Sequence, residues 1–393
     1  MTTGASLVSP DDQRVTFVEL FFDLVFVFCV TQVADRLRDH MDLRSAASAL
    51  LVFWLVWWAW TQFTWTLNAA DTDHPRVQAA TLLGTAVAFF MGVGIPGALG
   101  DRALWFAVPY VSVRVVGLLV YHWVAWNDPS QRRAVRVFGL LSVTGLAAVL
   151  AGALAGGSGQ YVWWTVAVAL DLLAAGVAGQ LEGWNLHPDH FVERHGLIVI
   201  IALGEALIVA AAGLAGAPAS VPAIATAALA VAVTCGLWWT YFRHARPVFE
   251  HALASREGNA RSRMARDVFS VVHFPMLCGV IAMAAATEEA LARPDDVMTA
   301  GARVALGAGA LLFVGGTGLA LWRSTGRVPG PRGALTAAGA AAVVGIAALP
   351  WVAMAALMAM LVAVAAAERP VTDIDPSRPA PDGGRDSRPG AAP

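Results

Sequence analysis

The feature that most constrains this chain is a succession of apolar runs, each about twenty residues long and separated by short polar stretches. A helix of about 20 apolar residues is long enough to cross the roughly 30 Å hydrocarbon core of a bilayer. Lipid offers no hydrogen-bond partner to free backbone groups, so a chain with many such runs has to fold as helices. The sequence therefore predicts an all-α, polytopic transmembrane helix bundle.

The composition agrees with a membrane protein and narrows its partners. Of the 393 residues, 58% are apolar and 14% are charged, whereas a soluble domain is about half apolar and about a quarter charged. The net charge of −2 does not favour a nucleic-acid partner. Cys29, Cys235 and Cys278 all lie inside apolar runs, so we predict no disulfide framework, no metal site and no cofactor. The expected partner is the lipid bilayer.

Twelve membrane spans are predicted. They cover residues 15–35, 46–67, 77–99, 103–125, 134–155, 160–181, 194–214, 221–242, 266–287, 301–322, 333–349 and 351–367. The last two come from one apolar tract that is too long for a single crossing and is interrupted by Pro350. Two short helices are favoured there over one broken helix. The tail, residues 368–393, is rich in proline, glycine and charge, which predicts disorder.

The arginines between the spans indicate an orientation. The side that begins with the N-terminus holds fifteen of them: Arg14, Arg76, Arg132, Arg133, Arg136, Arg194, Arg243, Arg246, Arg256, Arg261, Arg263, Arg266, Arg323, Arg327 and Arg332. The other side holds five: Arg36, Arg38, Arg44, Arg102 and Arg293. Because basic loops stay in the cytoplasm, both termini are predicted to be cytoplasmic, including residues 1–13. Residues 243–266 would form the longest and most basic cytoplasmic loop.

The chain shows signs of an internal repeat. Asp23 and Glu205 lie deep in the first and seventh predicted helices, and each is followed by a tryptophan pair, Trp57-Trp58 and Trp238-Trp239. Residues 14–186 and 187–367 would then be two parallel six-helix halves, an arrangement known in transporters. A chain with 15 tryptophans also forms such pairs by chance. The duplication is therefore a hypothesis for the structure to address.

Ionisable residues far from any helix end are the main functional candidates. Glu19 and Asp23 are four residues apart and share one helix face. A charge at the bilayer centre costs roughly 2.5–3.5 kcal/mol on insertion scales, so such groups face the bundle interior. Arg114, Asp171 and Glu205 are also deep, which leaves four acids for one deep arginine. The surplus acids must be protonated, hydrated or bound to a cation, so these five residues form the candidate ion or substrate site.

Further polar residues on the same helices can surround that site. The candidates for this outer set are Gln32, Thr61, Thr64, Tyr110, Glu193, Arg194 and His273. Polar residues that repeat along one helix face often do no more than pack helices together. Residues 185–196 hold three histidines from which a metal site can be drawn, but their spacing matches no standard zinc pattern. The start of a helix at the membrane interface explains that segment better.

Two stretches of the sequence resemble those of a known family. The segments VELFFDLVFVFCVTQVA, residues 18–34, and ERHGLIVIIALGEALI, residues 193–208, closely resemble the bacterial low temperature requirement protein A family of multipass membrane proteins. The resemblance in order and spacing covers roughly residues 14–367. It implies an integral membrane protein that is linked by name to growth in the cold, without a defined molecular activity. The resemblance assigns no role to any residue. The residues that match the family's two motifs are Glu19, Phe22, Asp23, Gln32, Glu193, Arg194, Gly204 and Glu205.

Two functional hypotheses follow. In the first, the protein is a proton- or cation-coupled secondary transporter of a small ion or small molecule. Asp23 and Glu205 would then form a pair at mid-membrane, with Arg114 as their counter-ion or as the ligand of a substrate carboxylate. In the second, it transports nothing, and its buried charges only hold the helices together in a structural or stress-adaptation protein. An enzyme is not expected, because no nucleophile–base or metal motif is found in the sequence. The oligomeric state is not predicted.

Overall fold

The computed structural model describes residues 7–10, 13–38, 41–217, 220–328 and 330–368, without the side chain of residue 127. Most of the N-terminal segment and nearly all of the predicted disordered tail lie outside these ranges. Within them the chain forms twelve helices and no strand. They are α1 Phe17–Arg38, α2 Leu43–Ala69, α3 Pro75–Gly94, α4 Ala103–Asn127, α5 Arg132–Ala155, α6 Gly157–Ala178, α7 Pro188–Gly216, α8 Val221–Ala254, α9 Gly258–Ala292, α10 Ala300–Thr325, α11 Arg332–Gly345 and α12 Pro350–Ala367.

Local sequence signals set the starts of several helices. Asp42, Ser220 and Thr299 precede α2, α8 and α10, and each side chain accepts a hydrogen bond from a backbone N–H of the first turn. Proline occupies the first turn of α3, α7, α8 and α12, where its missing N–H removes no helical hydrogen bond. These capping residues and prolines therefore specify where the helices begin, in addition to the hydrophobic pattern.

The helices form a multipass membrane protein. All of the described helices except α11 are long and apolar enough to cross a bilayer. Large apolar side chains cover the outside of the bundle, among them Leu119, Leu140, Leu154 and Ile208. An apolar exterior of this extent is suited to lipid rather than to water. The prediction of an all-α polytopic bundle of twelve helices is confirmed.

The bundle has two ends, which contacts between helix termini define. At one end, here called the N-side, the first turns of α1 and α7 meet, and Ser270 near the start of α9 contacts Trp65 near the end of α2. At the opposite end, Arg38 at the end of α1 pairs with Glu288 near the end of α9. α10 ends on the N-side, where Arg323 pairs with Asp267, three residues from Ser270. The next helix, α11, therefore begins there, and α12 ends beside it, because Arg332 at the start of α11 pairs with Glu368 directly after α12.

Each half of the chain repeats the same pattern of helix contacts. In the first half α1 contacts α2 and α3, α2 contacts α4 and α6, and α3 to α6 contact one another in sequence. The second half has the corresponding contacts among α7 to α12. The halves meet where α1 and α2 contact α7 and α9. This pattern is what two parallel six-helix units would produce, although the duplication itself remains a prediction.

The last apolar tract forms two helices. α11 and α12 are separated by the non-helical residues 346–349 and run antiparallel, with the ion pair between Arg332 and Glu368 joining their N-side ends. Met360 of α12 packs against Gly339 of α11, where a Cβ atom would lie 2.5 Å from the Met360 side chain. The preference for two short helices over one broken helix is confirmed.

The basic segment 243–266 is not a loop, which corrects the sequence prediction. α8 continues to Ala254 and α9 begins at Gly258, so the connection has three residues. Both helices contain a π-helical stretch, Trp239–Ala245 in α8 and Ala265–Val272 in α9. Pro247 and Pro275 follow these stretches and lack the N–H that would pair with the carbonyl four residues earlier. The wider turns accommodate those carbonyls without ending the helix.

Candidate functional site

The acidic pair of α1 lies close to one helix end rather than at mid-membrane. Glu19 and Asp23 are in the first two turns of α1, and Asp23 lies six residues, about 9 Å, from the helix start at Phe17. Both side chains are fully buried. Glu19 Oε2 accepts hydrogen bonds from Thr16 N at 3.0 Å and Thr16 Oγ1 at 2.9 Å. This contact resembles a capping box, in which an acid of the first turn binds the backbone N–H that precedes the helix.

Arg194 of α7 binds both acids. Its Nη1 lies 2.6 Å from Glu19 Oε1, and its Nη2 lies 2.6 Å from Asp23 Oδ1. The four-residue spacing puts the two carboxylates one turn apart on the same face, where the two arms of one guanidinium reach both. Arg194 is fully buried and lies six residues into α7, a depth that matches that of Asp23 in α1.

His190 extends the cluster and stands in its neutral form. Its Nε2 lies 3.0 Å from Glu19 Oε1, and its Nδ1 lies 3.0 Å from Asn68 Nδ2. The Asn68 amide is oriented by the backbone of His187, to which its Oδ1 and Nδ2 bind at 2.9 Å and 3.0 Å. Asn68 Nδ2 is a donor, so His190 Nδ1 has to accept, and the ring proton sits on Nε2 and points at Glu19.

Asp23 retains one oxygen without a partner. Its Oδ1 accepts hydrogen bonds from Arg194 and from Trp60 Nε1, the latter at 2.8 Å. Its Oδ2 is buried and has no hydrogen-bond partner among the described residues. The guanidinium of Arg194 lies 5.8 Å from the Trp60 ring centroid, which adds a cation–π contact. Because a buried carboxylate oxygen is costly without a hydrogen bond, Oδ2 is the atom of this cluster best placed to take a proton.

The cluster, defined here as the Asp23 cluster (Glu19, Asp23, His190 and Arg194), has one acid in excess. Two carboxylates face one guanidinium and a neutral imidazole. One added proton makes the cluster neutral, and low dielectric surroundings favour neutrality. In the described part of the chain, no group of three or more His, Cys, Asp and Glu side chains is arranged to hold a metal ion.

A second buried ion pair lies within the first half. Arg114 Nη2 of α4 is 3.1 Å from Asp171 Oδ1 of α6, and both side chains are buried. Tyr110 OH accepts from Arg114 Nη1 at 2.7 Å. Gln62 Oε1 accepts from Arg114 Nε, while Gln62 Nε2 donates to the Arg114 carbonyl at 2.8 Å. This pair balances its own charge and links α2, α4 and α6.

The predicted pairing of Asp23 with Glu205 is wrong. Glu205 Oε1 instead accepts from Thr31 Oγ1 at 2.8 Å, nearer the opposite end of the bundle. Glu205 lies eleven residues beyond Arg194, about 16 Å along α7. Arg114 is likewise the partner of Asp171 and not of Asp23. The prediction of one deep arginine failed because α7 begins at Pro188, which puts Arg194 inside the helix and not at its boundary.

The other predicted residues lie in different places. Tyr110 is in the Arg114 pair, and Arg194 is central to the Asp23 cluster. Thr64 Oγ1 donates to the Trp60 carbonyl of its own helix at 3.1 Å. His273 Nε2 lies 2.8 Å from Tyr241 OH, between α9 and α8. The remaining three are Thr61, which lines a separate cavity, Gln32, which is half-buried on α1, and Glu193, whose Oε2 is 3.5 Å from Val15 N.

The two distinctive stretches of the sequence are therefore partners in space, since Glu19 and Asp23 of the first bind Arg194 of the second. The family model of the bacterial low temperature requirement A protein (LtrA) matches residues 14–367. The chain belongs to the LtrA family. The match covers all twelve helices of this LtrA-family protein and stops where α12 ends.

A curated relative adds to the comparison. The uncharacterized protein RA0937 of Rhizobium meliloti (strain 1021) is 28% identical to this LtrA-family chain over 321 residues. The similar region covers 78% of this chain and 77% of the relative. No solved structure matches the chain.

Sequence reasoning missed His190, Asn68 and Trp60 as members of the site. The signal for His190 was Pro188, a typical first residue of a helix, which places positions 190 and 194 one turn apart on α7. Asn68 lies eight residues after Trp60 and so on a similar face of α2.

Proposed function

We propose that this LtrA-family protein is a proton-coupled secondary transporter of the cytoplasmic membrane and not an enzyme, with Asp23 as the group that gains and loses the proton. The observation that carries the proposal is the unpartnered, buried Asp23 Oδ2 in a cluster with one acid in excess. The site lies at the junction of the two halves, where α1 and α2 meet α7. Transporters built from two halves hold their substrate and ion sites at this junction.

The proposed coupling acts through Arg194. When Asp23 is charged, the guanidinium of Arg194 binds both Asp23 Oδ1 and Glu19 Oε1. A proton on Asp23 Oδ2 removes the charge that attracts Nη2 and leaves Arg194 paired with Glu19 alone. Because α1 and α7 belong to different halves, this step weakens one of the bonds that join them. A change in protonation then shifts the balance between two arrangements of the halves.

The proposed orientation places the N-side in the cytoplasm. Arg194 is buried in the Asp23 cluster and does not act as a loop charge, so the arginine count becomes fourteen on the N-side against five on the opposite side. The excess still follows the positive-inside rule. The Asp23 cluster would then face the cytoplasmic half of the membrane, with Glu205 towards the outside.

The test is proton flux into proteoliposomes that contain the purified protein, driven by an imposed pH gradient. Asp23→Asn keeps an oxygen that can accept from Trp60 and leaves Arg194 paired with Glu19, so the variant is expected to fold. It cannot bind and release the proton, and its flux is expected to fall to the level of empty liposomes. Asp295→Asn, at an exposed position between α9 and α10, is the matched control and should keep wild-type flux.

Two results would contradict transport. One is wild-type protein, well folded by gel filtration, that moves no protons under any gradient. The other is Asp23→Asn with undiminished flux.

The Arg114–Asp171 pair favours the competing structural role, because both of its charged groups find their hydrogen-bond partners within the bundle. If both buried pairs serve only packing, Asp23→Asn lowers the melting temperature and no flux is present to lose.

A further inference from the structure

A large apolar cleft lies between the two halves, at the end of the bundle opposite the N-side. Its cavity volume is about 460 Å³, within the range of about 300–1,000 Å³ that is usual for small-molecule sites. The walls come from α1 and α2 of the first half and from α9 and α10 of the second. We call it the α2–α10 cleft, and its lining includes Val33, Leu50, Phe53, Ile281, Val304 and Ala308.

The α2–α10 cleft opens sideways towards lipid. Val33 of α1 and Ile281 of α9 lie on its floor and are buried, whereas Leu50 of α2 and Val304 of α10 are 45% and 51% exposed. The opening therefore lies between α2 and α10. Both helices are long and apolar enough to cross a bilayer, so the opening is continuous with the lipid-facing surface of the bundle.

The cleft extends along the bundle by the thickness of one leaflet. On α10 its lining runs from Ala300, the first residue of the helix, to Leu312, about 18 Å further along. On α2 it runs from Leu43 to Phe53, about 15 Å. The hydrocarbon core of a bilayer is roughly 30 Å thick, so one leaflet contributes about 15 Å. The cleft thus has the length of one acyl chain that begins at the interface and ends near mid-membrane.

The walls offer a ligand apolar contact and little else. Small side chains leave the space between α2 and α10, among them Ala46 and Ala49 on α2 and Ala305 and Ala308 on α10. Among the described residues of the lining, Asp42 alone carries a charge, and it lies at the end of the cleft where α2 begins. A polar solute would lose its hydrogen bonds to water here, whereas a hydrocarbon chain gains dispersion contacts along its length. The cleft is therefore suited to a chain whose polar head stays at the level of Asp42.

We propose that the α2–α10 cleft binds one acyl chain of a phospholipid from the adjacent leaflet. The sideways opening admits one chain, while the second chain of the same lipid stays in the bilayer and its head group stays at the surface. The bound chain lies between helices of different halves, with α1 and α2 on one side and α9 and α10 on the other. The inference goes beyond proton coupling and does not depend on it, because occupancy is measured without a gradient or flux. Failure of either proposal leaves the other standing.

The test is photo-cross-linking of the full-length protein in nanodiscs that contain phosphatidylcholine with a diazirine at one defined carbon of an acyl chain. Mass spectrometry locates the labelled residues. A diazirine near the chain end is expected to label Phe53 and Leu312, and one near the glycerol to label Leu43 and Ala300. Labelling of the cleft should exceed that of Val108, which is 50% exposed on the lipid-facing surface of α4.

Substitutions that fill the cleft provide the controls. Ala308→Phe acts from α10 and Ala46→Phe from α2, and each is expected to lower cleft labelling to the level of Val108. Because the two variants act from opposite walls, one remains informative if the other fails to fold by gel filtration. Ala47→Phe is the matched control, since Ala47 is exposed, adjoins Ala46 and is not part of the lining. Its cleft labelling should equal that of wild type.

Three results would overturn the proposal. Cleft labelling no stronger than that of Val108 would show that no lipid chain is held there, as when a second copy of the protein covers the opening. Undiminished labelling in folded Ala308→Phe or Ala46→Phe would place the bound chain elsewhere. Complete displacement of the labelled lipid by an excess of palmitate would assign the cleft to a free fatty acid rather than to a phospholipid.

Discussion

At the scale of single residues, the molecule is organised by one guanidinium that serves two carboxylates. Arg194 is the residue that the sequence presented as a boundary charge and the structure places among Glu19, Asp23 and Trp60. The four-residue spacing of the two acids correctly predicted that they share a face. Their partner comes from the other half of the chain, and no local pattern of α1 specifies it.

Removal of Arg194 should destabilise the protein strongly. Arg194→Gln leaves two carboxylates one turn apart in a buried site without a counter-ion, a change that typically costs about 3–5 kcal/mol. The melting temperature of the purified protein in detergent is expected to fall clearly below that of Asp23→Asn. The double variant, Asp23→Asn with Arg194→Gln, should recover part of the loss, since partners in one network are not additive. A melting temperature of Arg194→Gln equal to that of wild type would contradict the geometry of the cluster.

At the scale of elements, α9 and α10 approach through paired glycines. A Cβ atom on Gly309 would lie 2.6 Å from the Gly279 carbonyl oxygen, and one on Gly279 would lie 2.4 Å from the Gly309 carbonyl oxygen. Small residues allow such close backbone packing in membranes, where lipid provides no hydrophobic force between helices. The structure decides which of the many glycines in these two helices touch.

Gly309→Ala is therefore expected to lower stability by about 1–3 kcal/mol, because the added methyl group has no space. Gly315→Ala in the same helix is the control, since no neighbouring atom lies within 4 Å of the place that its Cβ atom would take. That control should be neutral or slightly stabilising, by up to about 1 kcal/mol. Thermal unfolding of both variants in the same detergent measures the difference, and equal melting temperatures would mean that α9 and α10 separate without cost.

At the scale of the whole molecule, the proposed orientation can be tested with thiol labelling. In a background with Cys29, Cys235 and Cys278 replaced by alanine, one cysteine is placed at Glu182 on the N-side or at Asp295 on the opposite side. A membrane-impermeant maleimide added to intact cells is expected to label Asp295→Cys only. Glu182→Cys should react after the cells are opened. The reverse pattern would place the N-side outside and contradict the arginine count.

The sequence by itself determined the class, the family and the number of helices, and it singled out Glu19, Asp23, Arg114 and Asp171 as buried, but it treated Arg194 as a boundary charge. Hydrophobic run length, proline and capping residues act locally along the chain, so they can be interpreted without a structure. The partners were decided only by tertiary structure. Asp23 binds Arg194 rather than Glu205, and Arg114 binds Asp171, because helix packing determines which faces meet. The same packing brings together the rings around Trp184, which come from four separate segments of the chain.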